Sequence, residues 1–547
     1  MVNVKFVPLL FILKLVAVCV IVLGLQFVLL YPLHVSMDLP TADESNYMSF
    51  GRSFGLGLSK LNDISQAPAY LLLYSIFTRF FGTIESIFFM KYFLTLGTTV
   101  MLVIFLIFYL RSLLLAFFLS LLWVVSSYNI KATIMVYHFG ALVFLAALIL
   151  NKRCKMSAVM LLVLCVFIRL EYVLVLVSYL AFLIWRYIKT KKNNALLPKK
   201  RFKDSVLSLS ISAFLLAVVI FMGVHMARWN TRSRGAWWAF KAYYSFAQVK
   251  SGRFDLDPWY DYNLIIEKDF PGSQSLRDAV FINPAAFISH VAKNVTNLPV
   301  SFLELILPAV IVKCRYTHII FWLFFLAIPI LLLRRKNFFL QAKAIFLESK
   351  DTTVLCLMSP LALIPSLIVC SSARYSIMAL PLILLLIGVA CKAFVKSHGS
   401  AYVRLLVNGA LIVLISVIIS FILIMPKPFR PHNPLRPIYE KVLRVRKIWP
   451  AKKAKLLGAS SYFYCNYIGR GDRCVPLLLL ATEGGGDIKP GLVNLYDMIS
   501  LCNPDVVMIN KRLLNSKNFD QYSLKALDPA NWTAYTVSND ETLYFKK

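Results

Sequence analysis

The chain has 547 residues, of which 59% are hydrophobic and only 16% are charged, and its formal net charge is +33. Soluble domains are nearer half apolar and one quarter charged, so this composition excludes an ordinary soluble globule. The apolar runs are long and continuous, which favours membrane-spanning helices over a barrel of alternating strands. We therefore predict a polytopic α-helical membrane protein. Its Lys and Arg excess lies in short loops between apolar runs, which argues against nucleic-acid binding.

Because about twenty apolar residues cross a bilayer, the pattern predicts about eleven spans. The first run shows no small-residue cleavage pattern, and we interpret it as an uncleaved span. The predicted spans are residues 7–33, 86–110, 112–128, 132–150, 156–168, 171–186, 206–225, 316–333, 352–370, 375–391 and 405–425.

Basic loops between these runs predict the orientation, since Lys and Arg collect on the cytoplasmic side. The cytoplasmic loops are Arg111 and residues 151–155, 186–203, 334–350 and 392–404. Three regions then lie outside the cytoplasm: a first outer loop at 34–85, a second at 226–315, and residues 426–547.

Residues 156–186 lie between two basic loops but are short for two full crossings. They predict a shallow hairpin with Arg169 and Glu171 near its tip. Charged residues within a membrane are rare, so this pair is a functional candidate as well as a candidate ion pair.

The C-terminal region opens with a proline-rich stretch at 425–437 that is typical of a stiff linker. After it, apolar stretches alternate with polar connections, which predicts a small extracytoplasmic α/β domain within 426–547 and a transmembrane domain over 1–425. Cys465 and Cys474 are candidates for a disulfide if this region is in an oxidising compartment. The expected strands are Lys455–Ala459, Asp505–Asn510, Thr533–Val537 and Thr542–Phe545.

Two adjacent carboxylates, Asp43 and Glu44, lie in the first outer loop. The spacing of Asp43, Tyr47, Phe50 and Phe54 predicts an amphipathic helix with these residues on one stripe. Acids at a helix N-terminus are favoured by the helix dipole, so capping is one interpretation. The other is a general base or a metal ligand at the bilayer surface.

A second surface helix is predicted to begin at Pro68, because proline fits the first turn. Near the end of the chain's apolar part, Arg374 and Tyr375 lie between two predicted spans. Arg374 has two interpretations: it reaches the interface as a long basic side chain, or it binds a phosphate with its planar guanidinium.

The second outer loop has weaker signals. The arginines and tryptophans near its start favour an interfacial anchor over a binding site. His290 and Asn294 are four residues apart and share a helix face, where we expect surface polar residues. The anchor residues are Arg228, Arg232, Arg234, Trp237 and Trp238.

These motifs resemble the GT-C superfamily of integral membrane glycosyltransferases, in particular the branch with protein O-mannosyltransferases and the bacterial aminoarabinose and lipid A galacturonic-acid transferases. An Asp-Glu-x-x-Tyr pattern followed by a basic residue is typical of that branch. A Pro-Pro-Leu-Tyr-like element follows, of which one proline remains here, and the basic residue before it is replaced by Gln66. The matching positions are Asp43, Glu44, Tyr47 and Arg52, then Ala67 to Tyr70, then Arg374, Tyr375 and Pro381.

The resemblance implies transfer of one sugar from a polyprenyl-phosphate-sugar donor to lipid A or another glycolipid, a polysaccharide or a protein. Asp43 would be the base and Glu44 its support, with a divalent metal at this pair as an open possibility. Arg374 would neutralise the departing phosphate, and the style of the match implies a bacterial inner membrane. The implied substrate-binding residues are Tyr47, Arg52, Tyr70, Arg374 and Tyr375.

Three other classes remain open. A polysaccharide polymerase or ligase is also polytopic but does not need the Asp-Glu pair. A transporter usually shows internal repeats and broken helices at the midplane, and we find no repeat. A scaffold whose C-terminal domain binds a partner is the third.

Overall fold

The structure is a computed structural model, and it is mostly helical. Some side chains within its helices and strands, among them that of Asp43, lie outside the description. The described residues are 9–31, 38–39, 43–54, 67–131, 135–193, 235–259, 261–308, 312, 336–348, 350–398, 400–424, 437–448, 456–458, 467, 474–476, 494–515, 519–538 and 540–547.

Helices from both halves of the chain form one array. In the first half they are α1 (Leu9–Leu30), α2 (Asp43–Phe54), α3 (Pro68–Phe81), α4 (Glu85–Leu110), α5 (Leu113–Val124), α6 (Ser127–Lys131), α7 (Val136–Asn151), α8 (Lys155–Ile168) and α9 (Tyr172–Asn193). After the second outer loop, the helices are α14 (Lys336–Glu348), α15 (Lys350–Met358), α16 (Ile364–Val369), α17 (Ala373–Ser376), α18 (Leu380–His398) and α19 (Ala401–Ile424). Short 3-10 turns at Ser359–Leu363 and Ile377–Ala379 join α15 to α16 and α17 to α18.

Within the described residues, six helical segments are long and apolar enough to cross a membrane. They overlap six predicted spans, and the shorter apolar helices α5, α7 and α8 overlap three more. The predicted spans at 206–225 and 316–333 lie outside the described residues, so the count of eleven stays a prediction. The six segments are Leu9–Leu30, Glu85–Leu110, Tyr172–Lys189, Lys350–Val369, Ala373–Ser397 and Ala401–Leu423.

The predicted basic loops meet at one end of this array. Lys155 Nζ lies 2.9 Å from Asp351 Oδ2, and Arg186 pairs with the other oxygen of the same carboxylate. Lys392 donates to the carbonyl of Leu110 at 2.8 Å. We call this the basic end and the opposite end the site end.

The predicted hairpin forms with Arg169 and Glu171 in its turn, but α9 is long and apolar enough to cross a membrane, so the shallow depth stays a prediction. Helix α8 has only 14 residues, α9 begins at Tyr172, and the turn between them carries the predicted charges. Arg169 Nε donates to Glu171 Oε2 at 3.1 Å, and a second bond from its guanidinium reaches Oε1. Both side chains are more than four-fifths buried, so each charge neutralises the other where solvation is poor.

The second outer loop contains a helical unit with its own apolar core. Trp237 packs in this core with Phe240 and Phe270, so the predicted anchor role is wrong for this tryptophan. Arg253 forms a bidentate pair with Asp269, at 2.6 and 2.8 Å, that holds the unit together. The arginines of the predicted anchor, Arg228, Arg232 and Arg234, lie outside the described residues. The helices are α10 (Gly235–Lys250), α11 (Tyr262–Asp269), α12 (Leu276–Ile282) and α13 (Pro284–Glu304).

A five-stranded sheet follows near the C-terminus, in the order β2-β1-β3-β5-β4. The three strands β2, β1 and β3 are parallel, and β5 joins them antiparallel between β3 and β4. All four predicted strands are confirmed, whereas β2 was not predicted; Cys465 lies outside the described residues. The elements are α20 (Pro437–Ile448), β1 (Leu456–Gly458), β2 (Cys474–Pro476), α21 (Leu495–Cys502), β3 (Val506–Asn510), α22 (Lys511–Leu514), a 3-10 turn (Gln521–Leu527), β4 (Trp532–Ser538) and β5 (Glu541–Lys546).

The sheet is connected to the site end through α20. Asp38 accepts hydrogen bonds from the backbone N–H groups of Ile438 and Tyr439 at 2.9 and 2.8 Å. These are first-turn donors that have no partner inside a helix, so Asp38 caps α20 from a distant part of the chain. On the other side of α20, Lys441 pairs with Glu541 at 3.2 Å.

Candidate functional site

The acidic motif opens helix α2, as predicted, and members of the predicted stripe differ in burial. Glu44, Tyr47 and Met48 are buried, whereas Phe50 is 40% exposed. The close approach of α3 explains the difference. A Cβ on Gly51 would lie 2.8 Å from the carbonyl oxygen of Leu71, so only glycine permits this helix contact.

The carboxylate of Glu44 joins three segments. Its Oε1 accepts hydrogen bonds from the hydroxyls of Tyr70 and Tyr74, both on α3. Its Oε2 accepts from the backbone N–H of Met135, just before α7, at 2.9 Å. Glu44 thus binds other segments of the chain, a role that its place in the first turn of α2 does not by itself explain. Burial, followed by the charge of Glu44, raises the pKa of Tyr70 and Tyr74, so both stay protonated as donors.

A buried lysine lies near this carboxylate. Lys91 of α4 is 2% exposed, and its Nζ donates to the carbonyl of Ile130 at 3.3 Å. The charge of Glu44 acts on it attractively. A buried carboxylate needs hydrogen bonds and an opposite charge, and this arrangement supplies both.

The second part of the site contains the late Arg-Tyr motif. The guanidinium of Arg374 lies 4.8 Å from the ring of Tyr375, and it also donates to the hydroxyl of Tyr243 in α10. Tyr375 meets Tyr137 of α7 edge to face, with centroids 5.2 Å apart. Arg169, at the hairpin tip, lies over the ring of Tyr137, with its guanidinium carbon 4.6 Å from the ring centroid. The hairpin, α7 and α10 therefore meet around Arg374.

The helical unit of the second outer loop also fixes the segment before Arg374. The Nε2–H of His290 donates to the carbonyl of Val369 at 3.1 Å, and Asn294 donates to that of Leu367 at 2.8 Å. These carbonyls lie in the last turn of α16, where helices lack internal donors. His290 and Asn294 are 4% and 7% exposed, so the expectation of surface residues is wrong, while their shared helix face is confirmed.

Tyr128, on α6, stacks on His138 of α7, with ring centroids 5.2 Å apart. The start of α7 also joins the two parts of the site. Glu44 accepts a hydrogen bond from Met135 just before α7, and Tyr137, two residues further on, contacts Tyr375 beside Arg374. The acidic and the basic motif therefore lie against the start of the same helix.

Comparison with solved structures gives a match to the crystal structure of ArnT from Cupriavidus metallidurans in the apo state. The match covers 98% of this chain and 97% of that one, with a TM-score of 0.50 and 12% identity. The chain has an ArnT-like fold. The resemblance inferred from the three motifs is thus confirmed at the level of the fold. No family model matches the sequence, and the search of curated proteins found no match.

The predicted site residues occupy this fold as follows. Tyr47 meets Tyr70 edge to face, with centroids 5.4 Å apart, and both lie with Glu44. Arg52 is half-buried in the last turn of α2. Asp43 begins the helix, and its side chain lies outside the described set, as does Gln66. Arg374 and Tyr375 form the second part, described above.

Metal binding was left open for Asp43 and Glu44. Among the described residues, no group of three or more His, Cys, Asp and Glu side chains is arranged to hold a metal ion. Both oxygens of Glu44 accept hydrogen bonds from protein groups.

Sequence reasoning missed several members of the cluster. Tyr74 had a usable signal, since it follows Tyr70 by four residues and therefore shares its helix face. Tyr128 and Tyr137 had none, because only the tertiary fold brings α6 and α7 to the acidic motif. Lys91 lies in the first turns of an apolar helix, where a snorkelling lysine is the ordinary expectation.

Proposed function

We propose that this chain is a membrane glycosyltransferase that moves one sugar from a polyprenyl-phosphate donor to an acceptor hydroxyl. The observation that carries the proposal is the meeting of the helix that opens with Asp43 and Glu44 and of the Arg374-Tyr375 motif at the start of α7, in an ArnT-like fold. A carboxylate and a guanidinium in one site suit a reaction that removes a proton from one group and releases an anion from another.

In the proposed reaction, Asp43 accepts the proton of the acceptor hydroxyl. The acceptor oxygen then forms a bond to the anomeric carbon of the sugar. The bond from that carbon to the phosphate oxygen breaks, and its electron pair leaves on the lipid phosphate, which Arg374 neutralises. Glu44 positions the start of α2 through its three hydrogen bonds, and Tyr47, Arg52, Tyr70 and Tyr375 line the substrate site.

The location of the cluster supports a lipid-linked donor. It lies at the site end of the helix array, so a polyprenyl chain can remain in the bilayer while its phosphate reaches Arg374. The ion-paired basic end is proposed to face the cytoplasm, in keeping with the positive-inside rule. The site, both outer loops and the domain of residues 426–547 then lie outside the cytoplasm of a bacterial inner membrane. The proposed acceptors are a glycolipid such as lipid A, a polysaccharide or a protein.

The test is transfer of radiolabelled sugar from polyprenyl-phosphate-sugar donors to cell-envelope acceptors, in membranes with wild type or Asp43→Asn at equal expression. The proposal predicts label transfer with wild type and its loss with the variant. Undiminished transfer by the variant would exclude Asp43 as the base. No transfer by wild type from any donor would instead favour the polymerase, transporter or scaffold classes.

A further inference from the structure

Tyr128, on α6, carries a buried hydroxyl that no contact of the described residues explains. The oxygen of Tyr128 is shielded from solvent and has no hydrogen-bond partner among the described residues. Its ring stacks on that of His138, with centroids 5.2 Å apart and planes 12° from parallel. Because a buried hydroxyl without a partner destabilises a fold, phenylalanine would suit this position better if stability alone mattered.

The strongest charge that acts on this hydroxyl is positive. It is that of Arg374, followed by the opposing charge of Glu44 and then by that of Arg169. Glu44 is satisfied by its own hydrogen bonds, and Arg169 is balanced by Glu171, with which it forms two hydrogen bonds. A tyrosine hydroxyl titrates at about pH 10, so that of Tyr128 is protonated at neutral pH and available as a donor.

We propose that the hydroxyl of Tyr128 donates a hydrogen bond to the phosphate of the lipid-linked sugar donor, beside Arg374. This inference rests on the proposed function and adds a substrate-binding residue to it. The unpartnered hydroxyl and the ring contacts that lead from it toward Arg374 carry the assignment. Tyr128 stacks on His138, and the adjacent Tyr137 contacts Tyr375, over which Arg374 lies. The phosphate would supply the missing acceptor, and the hydrogen bond would persist to the departing lipid phosphate.

The variant Tyr128→Phe removes only this hydroxyl and keeps the ring that stacks on His138. A matched control is Tyr172→Phe. The hydroxyl of Tyr172 is also buried without a partner among the described residues, but its ring packs on Phe144 and against Gly140, inside the helix array. Both changes delete the same group from a similar environment, and only Tyr128 is assigned to the phosphate.

The measurement is binding of polyprenyl monophosphate to the purified full-length protein in phosphatidylcholine nanodiscs, together with thermal unfolding. A hydrogen bond to a charged group predicts a Kd about 10- to 100-fold weaker for Tyr128→Phe. The Tm should be unchanged or higher, and Tyr172→Phe should bind as wild type does. Parallel titrations use phosphatidylglycerol and inorganic phosphate. The Kd of each should be the same for wild type and Tyr128→Phe.

Equal binding of polyprenyl phosphate by wild type and Tyr128→Phe would overturn this inference and leave the proposed function standing. A clear fall in Tm for Tyr128→Phe would also overturn it, because the hydroxyl would then have a structural partner. The same dependence on Tyr128 with phosphatidylglycerol or inorganic phosphate would show a general anion site. If wild type binds no polyprenyl phosphate, both the inference and the proposed donor class fail.

Discussion

Replacing Glu44 by glutamine should destabilise the site end of the protein before any question of catalysis arises. The carboxylate accepts hydrogen bonds from three groups, two tyrosine hydroxyls and the N–H of Met135. A carboxamide has a single oxygen. If that oxygen faces the tyrosines, its NH₂ group faces the N–H of Met135, and two donors oppose each other.

The size of the effect follows from these bonds. Leaving one buried N–H unsatisfied costs about 1–3 kcal/mol. The two hydrogen bonds from the tyrosine hydroxyls also lose their charged acceptor, which costs about 1 kcal/mol of stability each. The change should therefore cost about 3–5 kcal/mol in total, and Lys91 loses its nearby negative charge as well. The matched variant Tyr74→Phe removes one donor only, and should cost about 1.5–3 kcal/mol.

Thermal unfolding of the purified proteins in one detergent provides the assay, with limited proteolysis to follow α2 and α3. The expected order of Tm is wild type, then Tyr74→Phe, then Glu44→Gln, and cleavage should begin between α2 and α3. A helical membrane protein need not unfold in two states, so the order is the test rather than the absolute shift. If Glu44→Gln melts at the wild-type temperature, the three hydrogen bonds do not hold these segments together.

Three further predictions concern other contacts of the same region. Gly51→Ala should lower the stability by about 1–3 kcal/mol and impair transfer, because its methyl group would collide with Leu71 and push α3 from Glu44; a Tm and transfer rate equal to wild type would contradict this. Asp38→Ala should lower the folding stability by about 1 kcal/mol and make the C-terminal sheet easier to release by protease, because it removes the cap of helix Pro437–Ile448. An unchanged cleavage rate would argue against the cap. Burial lowers the pKa of His290 below its usual 6.5, so on acidification the imidazole takes up a proton in the unfolded state first. The contribution of His290 to folding stability should be full above pH 6.5 and should fall as the pH drops through the folded-state pKa. The Tm of His290→Phe should lack this part of the pH dependence.

The sequence predicted most of the helical array because lipid leaves few alternatives. A backbone in lipid must satisfy its own hydrogen bonds, so long apolar runs become helices wherever their partners lie. The hairpin tip at Arg169 and Glu171 was predictable for the same reason, from length and charge alone. Strand β2 was not, since Cys474–Pro476 has only three residues and its pairing with β1 depends on contacts across the sheet.

The site was predictable as a set of motifs but not as a geometry. The periodicity of residues 43–54 predicts which side chains share a stripe, but not which of them other segments cover. Glu44 is buried because Tyr70, Tyr74 and the N–H of Met135 satisfy its carboxylate. In the same way, His290 and Asn294 looked like surface residues, because no local pattern reveals the helix end that they cap.

The two halves of the cluster are held by different parts of the chain, and this separation suits the proposed reaction. Glu44 holds the acidic half through α3 and Met135, whereas His290, Asn294 and Tyr243 hold the basic half from the second outer loop. If the carboxylates met Arg374 directly, each charge would neutralise the other, and neither a base nor a phosphate site would remain. Tyrosine hydroxyls contact both charges, and protonated hydroxyls can bind a sugar or a phosphate without cancelling either charge. Each charge is thus stabilised by its own local partners, as the proposed reaction requires.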